Sequence, residues 1–145
     1  MKHRLSLASL ALVLACGPMF TGCQGMGATS AREQAMALLS DSVKAEVNGY
    51  LQDVDSLTAL LGKVNGLQSA LDTAPKLAPY VTKLQSAYGS LSSLDPETLK
   101  NVRAAFSPEL NKAADGFTTE LERIADSAGI GHVLKPVLDK IKLFK

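Results

Sequence analysis

The fold of this chain is decided by the stretch from Val47 to Val64, which reads VNGYLQDVDSLTALLGKV. Its regularly spaced apolar residues, separated by alternating steps of three and four positions, are Val47, Tyr50, Val54, Leu57, Leu61 and Val64. Steps of three and four bring side chains to one face of an α-helix. The stretch therefore predicts a helix with one apolar face, and we call these six residues the heptad stripe.

The same periodicity extends beyond the heptad stripe in both directions. From Met36 to Leu71, ten steps between apolar residues cover 35 positions, a mean period of 3.5. This period is typical of a long amphipathic helix. Two pairs of turn-forming residues, Asn48-Gly49 and Asn65-Gly66, interrupt the pattern. Because the strict alternation runs through the first pair, the sequence predicts that the helix breaks at the second pair.

Start signals farther along the chain predict more helices. Pro75 and Pro79 each suit the first turn of a helix, because that turn does not use the amide hydrogen that proline lacks. Asp95-Pro96 and Ser107-Pro108 both combine an N-cap residue with a following proline, and a last helix is expected from Pro136 to Leu143. The sequence thus predicts an all-α fold, an antiparallel bundle of about four to five helices with one long N-terminal amphipathic helix.

The N-terminus has the layout of an export signal. Lys2, His3 and Arg4 precede an apolar run from Leu5 to Ala15, and Gly17-Pro18 follows the run. The run is about half as long as the roughly 20 residues that a membrane-spanning helix needs. The segment resembles a bacterial lipoprotein signal, in which a cysteine after a small residue receives a diacylglyceryl group and becomes the first residue of the mature protein.

Two cysteines fit the lipoprotein pattern in different ways. In Val13-Leu14-Ala15-Cys16 the first and third residues before the cysteine match it, and Leu14 is large for the middle position. In Phe20-Thr21-Gly22-Cys23 the two residues nearest the cysteine match, and Phe20 departs from the aliphatic residue expected. Cleavage before Cys16 would also leave Cys23 as a free thiol in an oxidising compartment. The preferred lipidation site is Cys23, with Cys16 as the alternative.

Lipidation at Cys23 defines the expected domain boundaries and location. Residues 1–22 form the signal peptide, residues 23–32 a flexible tether rich in small residues, and residues 33–145 the helical bundle domain. The residue after the cysteine steers sorting in this class of proteins, and here it is Gln24 rather than Asp. The resemblance implies an exported protein, lipid-anchored in the cell envelope, and in the outer membrane facing the periplasm where the host has two membranes.

The charge of the mature chain differs from that of the precursor. Removal of the signal peptide takes away Lys2 and Arg4, so Lys plus Arg fall from 15 to 13 against 14 Asp plus Glu, a net charge of −1. A nucleic-acid-binding protein normally carries a strongly basic face. The charge balance therefore argues against nucleic acid as a partner.

The sequence contains no recognisable catalytic, cofactor-binding or metal-binding motif. His132 is the one histidine after the signal peptide, so a histidine-based metal cluster cannot be built. Glu122 and Asp126 share a helix face and could hold a cation weakly, but a solvated surface explains them better. The carboxylates of Asp53-Asp55 and of Glu120-Glu122 point to different sides of a helix. We expect no enzyme, no cofactor and no metal.

Two functions remain as expectations. The first is a structural or protein-interaction role in the cell envelope, with the heptad face holding a protein partner or a second copy of the chain. The second is a carrier for an apolar ligand at the membrane surface, suggested by an interior poor in aromatic residues. The lysine-rich end of the chain, from His132 to Lys145, is expected to close the bundle, with binding to a membrane surface as the alternative. Attachment of Lys145 to peptidoglycan is a weaker hypothesis.

Overall fold

The computed structural model describes residues 23–127 and 129–144, with side chains from residue 31 onward. These residues form five helices and no strands, so the predicted all-α bundle is confirmed. The helices are α1 (Cys23–Leu38), α2 (Asp41–Gly62), α3 (Leu67–Ser92), α4 (Pro96–Ala125) and α5 (Ile130–Leu138).

Helix α2 lies at the centre of the bundle, where it packs against both α3 and α4. Gly116 of α4 faces Thr58, and Gly62 faces the carboxylate of Glu120, so α2 and α4 run in the same direction. Helix α3 follows α2 after a short turn and returns along it. Helix α1 packs against α4, and α5 packs mainly against α3.

The heptad stripe forms the middle of the hydrophobic core. Its six residues are at most 2% exposed. They meet buried residues from the other helices, which include Leu77, Leu84 and Leu91 of α3, Val102, Phe106 and Phe117 of α4, and Leu134 of α5. The predicted apolar face of α2 is therefore the surface on which α3 and α4 pack.

The predicted break at Asn65-Gly66 is correct, and a second break lies nearer the N-terminus. Helix α2 ends at Gly62 and α3 begins at Leu67. The hydroxyl of Ser69 accepts hydrogen bonds from the amides of Asn65 and Gly66 at 3.0 Å each, which fixes this turn. At the other end, Ser40 accepts a hydrogen bond from the amide of Val43 and caps α2. The expected long helix is thus divided between α1, α2 and α3.

The predicted helix starts at Pro75, Pro79 and Pro108 are wrong. Helix α3 continues through the first two prolines and α4 continues through the third. A proline inside a helix costs about 3 kcal/mol, but each of these prolines is exposed while apolar residues on the opposite face stay buried. Continued burial along one unbroken face outweighs the local penalty. The predicted helix start at Asp95-Pro96 is correct, because Asp95 caps α4 and Pro96 is its first residue.

Two further expectations about the ends of the chain are corrected. Residues 23–32, predicted as a flexible tether, lie within α1. Ala28 and Ala31 favour helix, and α1 is held to α4 by the buried Ala35 and by the ion pair of Arg32 with Glu109. The last helix is Ile130–Leu138 rather than Pro136–Leu143.

The position of α5 follows from a glycine and two apolar residues. Gly129 adopts a left-handed conformation with φ of 84°, which glycine reaches without strain. This turn directs Ile130 and Leu134 into the core, where they are 5% and 0% exposed. Burial of these two residues starts the helix six positions before Pro136.

The residues after α5 form a tail that returns to the centre of the bundle. Phe144 is buried, and its backbone amide donates a hydrogen bond to the Tyr50 hydroxyl at 2.8 Å. The Arg103 guanidinium lies 5.8 Å from the centre of the Phe144 ring, within the range of a cation–π contact. The tail thereby joins the C-terminus to α2 and α4.

We predict that Leu57→Ala will lower the free energy of unfolding by about 2–5 kcal/mol, because the residue is fully buried and the change leaves a cavity. Urea unfolding followed by circular dichroism measures the loss. Leu38→Ala is the matched control, since Leu38 is 69% exposed, and it should change stability by less than about 0.5 kcal/mol. Equal losses for the two variants would contradict the central position of α2.

Candidate functional site

The residues predicted to carry the lipid lie at the edge of the described structure. Cys23 is the first residue of α1. Cys16 and Lys145 lie outside the described residues. The structure thus places the preferred lipidation site directly at the start of the helical domain, without an intervening extended segment.

The heptad stripe was predicted to offer a surface for a partner, and its burial changes that expectation. Val47, Leu57, Leu61 and Val64 are 0% exposed, because α3 and α4 cover them. A partner therefore has no access to this face in the folded bundle. Any protein contact must use the outer surface instead.

Arg123 connects the ends of α2 and α4. Its two terminal guanidinium nitrogens donate hydrogen bonds to the carbonyl oxygens of Leu61 and Val64 at 2.7 and 2.8 Å. Its Nε donates to the carboxylate of Glu120 at 2.7 Å. The Leu61 carbonyl also accepts a hydrogen bond from the amide of Val64 at 2.9 Å. Arg123 therefore adds a charged donor to this carbonyl and supplies one to the Val64 carbonyl in the turn that follows α2. The five N–H groups of arginine suit this role.

No feature of the sequence points directly to this connection. Arg123 reads as one of several charged residues on the outer side of α4. Two of its three partners are backbone carbonyls about sixty positions away, and backbone carbonyls have no signature in the sequence. Only the parallel packing of α2 and α4 brings the guanidinium to the end of α2.

A cleft lies where α4 turns into α5. It has a volume of about 510 Å³, within the range of small-molecule sites. Its apolar side includes Leu121, Ile124 and Leu138, and its polar side includes Asp126 and His132. The cleft is open to solvent, in contrast to the closed dry cavity that a carrier of apolar ligands would need.

The polar residues of this cleft are either paired with each other or exposed to solvent. Lys135 and Asp139, which also line it, are paired with each other at 3.0 Å. His132 and Asp126 are exposed, as is Glu122, the other half of the weak cation site considered from the sequence. Among the described residues, no group of three histidine, cysteine or acidic side chains could hold a metal ion.

The two carboxylate pairs noted in the sequence are also separated by the fold. Asp53 is half-buried and lies 3.7 Å from the ammonium group of Lys83, whereas Asp55 is exposed. Glu120 binds Arg123, whereas Glu122 is exposed. In each pair, therefore, one carboxylate forms an ion pair and the other is exposed to solvent.

A second, smaller cleft adjoins the C-terminal tail. It has a volume of about 330 Å³ and lies between Tyr88 and Ser92 of α3, Leu99 and Arg103 of α4, and Leu143 and Phe144 of the tail. The tail thus lies beside both α3 and α4. Burial raises the pKa of the nearby Tyr50 hydroxyl, and the amide of Phe144 opposes this rise.

Comparison of the chain with known protein families, with curated proteins and with solved structures finds no match. None of the described helices combines the length and the apolar character that crossing a membrane requires.

We predict that Arg123→Ala will lower the free energy of unfolding by about 1–3 kcal/mol, because two carbonyl groups at the end of α2 lose their charged donor. Arg123→Lys should recover only part of the loss, since one ammonium group cannot reproduce the planar set of donors. Urea unfolding measures both variants. Lys112→Ala, at an exposed position of the same helix, is the control, and an equal effect there would contradict the role of Arg123.

We also predict that Tyr50→Phe will destabilise the protein by about 1–3 kcal/mol, because the buried amide of Phe144 loses its acceptor. The raised pKa of Tyr50 adds a pH dependence. Folding favours the neutral hydroxyl, so this contribution is complete below about pH 10, the ordinary pKa of tyrosine, and is lost as the pH rises further.

Urea unfolding at a series of alkaline pH values tests this prediction. The protein should lose more stability above about pH 10 than the Tyr50→Phe variant does. Tyr80→Phe is the control, because Tyr80 is only half-buried and its ring keeps the contact with Lys83. If Tyr80→Phe removes the same pH dependence, Tyr50 is not its source.

Proposed function

We propose that this protein is a lipid-anchored helical protein of the bacterial cell envelope with a structural or protein-interaction role and no catalytic activity. The observation that carries the proposal is the position of Cys23, which ends a lipoprotein-like signal and begins the first helix of the bundle. In this arrangement the lipid holds the folded domain close to the bilayer. A partner contacts the outer surface of the domain.

The filled core supports an interaction role over a carrier role. The heptad stripe and its neighbours occupy the space between the helices, so little apolar surface inside the bundle is left for a ligand. The chain also has no cysteine after Cys23, and packing alone must keep the domain folded. A domain with a filled core suits a role as a spacer or binding module.

A carrier of an apolar ligand is the second candidate. It is favoured by the volume of the cleft between α4 and α5, about 510 Å³, and by the apolar side formed by Leu121, Ile124 and Leu138. The open shape of this cleft and its charged rim count against a fully apolar ligand, because such ligands are usually enclosed. The interaction role is therefore preferred.

Intact mass of the mature protein isolated from membranes tests the anchor. We expect a chain that begins at Cys23 and carries a diacylglyceryl group on the sulfur. Cys23→Ser should abolish processing and lipidation, because serine has no thiol to form the thioether. Cys16→Ser is the matched control and should be processed normally.

The opposite pattern, with processing blocked only by Cys16→Ser, would move the anchor to Cys16. A mature chain without lipid would overturn the proposal. Native mass of the same sample, measured before and after extraction with organic solvent, separates the two candidate functions. A bound apolar molecule that is lost on extraction would favour the carrier. Separation of inner from outer membranes tests the expected location.

A further inference from the structure

We propose that the end of the bundle that carries the turn between α2 and α3 rests on the bilayer, with Leu67 and Leu71 inserted among the lipid headgroups. We call this the anchor end. The inference rests on the proposed function, because it takes an acylated Cys23 as the attachment that brings the domain to the membrane. It adds the orientation of the domain and a second contact with lipid.

The direction of α1 places Cys23 at the anchor end. Helix α1 finishes at Leu38 and only two residues separate it from the start of α2, so its C-terminus lies beside the N-terminus of α2. The ion pair between Arg32 and Glu109 shows that α1 runs back along α4. Cys23 precedes Arg32 by nine residues, which in a helix is about 14 Å. The N-terminus of α1 therefore lies toward the opposite end of the bundle from Leu38.

Leu67 lies at the same end. Arg123, two residues before the end of α4, donates to the carbonyl oxygens of Leu61 and Val64 at the end of α2. Leu67 begins α3 three residues after Val64. The C-termini of α2 and α4, the N-terminus of α3 and the start of α1 are thus gathered at one end.

The two leucines point outward from this end. Leu67 is 54% exposed and Leu71 is 50% exposed. They are four positions apart, so they share one face of α3. The core-facing positions of α3 are instead filled by other residues, which include Ala70, Leu77 and Val81. The chain therefore keeps two large apolar side chains here that its own core does not use.

A bilayer accounts for these leucines better than a second protein. A specific protein interface buries roughly 800 Å² on each partner, and two half-exposed leucines supply only a small part of that area. A lipid surface has no such minimum once an acyl anchor holds the domain against it, because each inserted side chain adds to the binding.

The charges at this end have no positive excess. Lys63 and Asp72 are both exposed and have opposite charges, and Glu122 and Asp126 near the end of α4 are exposed and acidic. Attraction to anionic lipid is therefore not what brings the surface to the membrane. Apolar contact and the anchor at Cys23 carry the interaction.

Tryptophan fluorescence tests this orientation, because the chain has no tryptophan of its own. Leu67→Trp and Leu38→Trp each place a single reporter at an exposed leucine. The second is the matched control, since Leu38 is 69% exposed at the other end of α2. Each full-length variant is expressed, processed and reconstituted in vesicles of phosphatidylethanolamine and phosphatidylglycerol, with or without bromine on the acyl chains.

We expect the emission of Leu67→Trp to shift to shorter wavelength and to be quenched several-fold more strongly by brominated lipid than that of Leu38→Trp. Circular dichroism checks that both variants keep their helix content. If Leu67→Trp does not fold, Leu71→Trp provides the same measurement.

The outcomes separate this inference from the anchor itself. If the protein carries lipid and floats with the vesicles, but the two variants are quenched equally, the orientation is wrong and the anchor stands. If the mature protein has no lipid and does not float, both proposals fail. A shift in Leu67→Trp emission that depends on protein concentration and not on bromine would assign the surface to a second copy of the chain and overturn the bilayer contact.

Discussion

Burial of the heptad stripe is the constraint on which the rest of the structure depends. Helix α2 has one apolar face, and removal of such a face from water is the main favourable contribution to folding. Helices α3 and α4 cover it from two sides. The tail after α5 then lies beside both of these helices, where Phe144 reaches the hydroxyl of Tyr50. Even the last described residue is thus positioned by α2.

The same constraint explains why the prolines do not divide the helices. A break at Pro75 or Pro108 would spare a local cost of about 3 kcal/mol. It would also turn part of a continuous apolar face away from α2, and each large side chain buried there contributes about 1.5–3 kcal/mol. Several such residues follow each proline along its helix. Long continuous helices are therefore favoured over shorter ones with better local start signals.

Because the heptad stripe is buried inside the bundle, contact with a partner must use the outer surface. In the proposed arrangement the lipid on Cys23, the turn between α2 and α3, and the exposed Leu67 and Leu71 all belong to one end of the domain. Arg123 links α4 to carbonyl groups at the end of α2 there. The cleft where α4 turns into α5 belongs to the same end. The smaller cleft, beside the start of α4, lies toward the opposite end, which faces away from the bilayer toward whatever the domain contacts.

The sequence alone was sufficient for the features that depend on local pattern. It predicted the all-α class from the 3.5-residue period, the turn at Asn65-Gly66 from two turn-forming residues, and the start of α4 from Asp95-Pro96. Each of these rests on groups that are neighbours along the chain, such as Asp95, whose carboxylate accepts hydrogen bonds from the amides of Glu97 and Thr98. The resemblance of the N-terminus to a lipoprotein signal likewise resides in consecutive residues.

Only the tertiary structure decided how those elements are used. Whether the heptad stripe faces a partner or the chain's own core depends on what packs against it. The period of the apolar residues cannot distinguish these two cases. The helical state of residues 23–32, the continuity through Pro108 and the bonds of Arg123 all depend on segments distant in sequence. The same holds for Leu67 and Leu71, which continue the apolar pattern but lie outside the core. Local residues determine which helices form, and long-range burial determines where they end and which faces remain exposed.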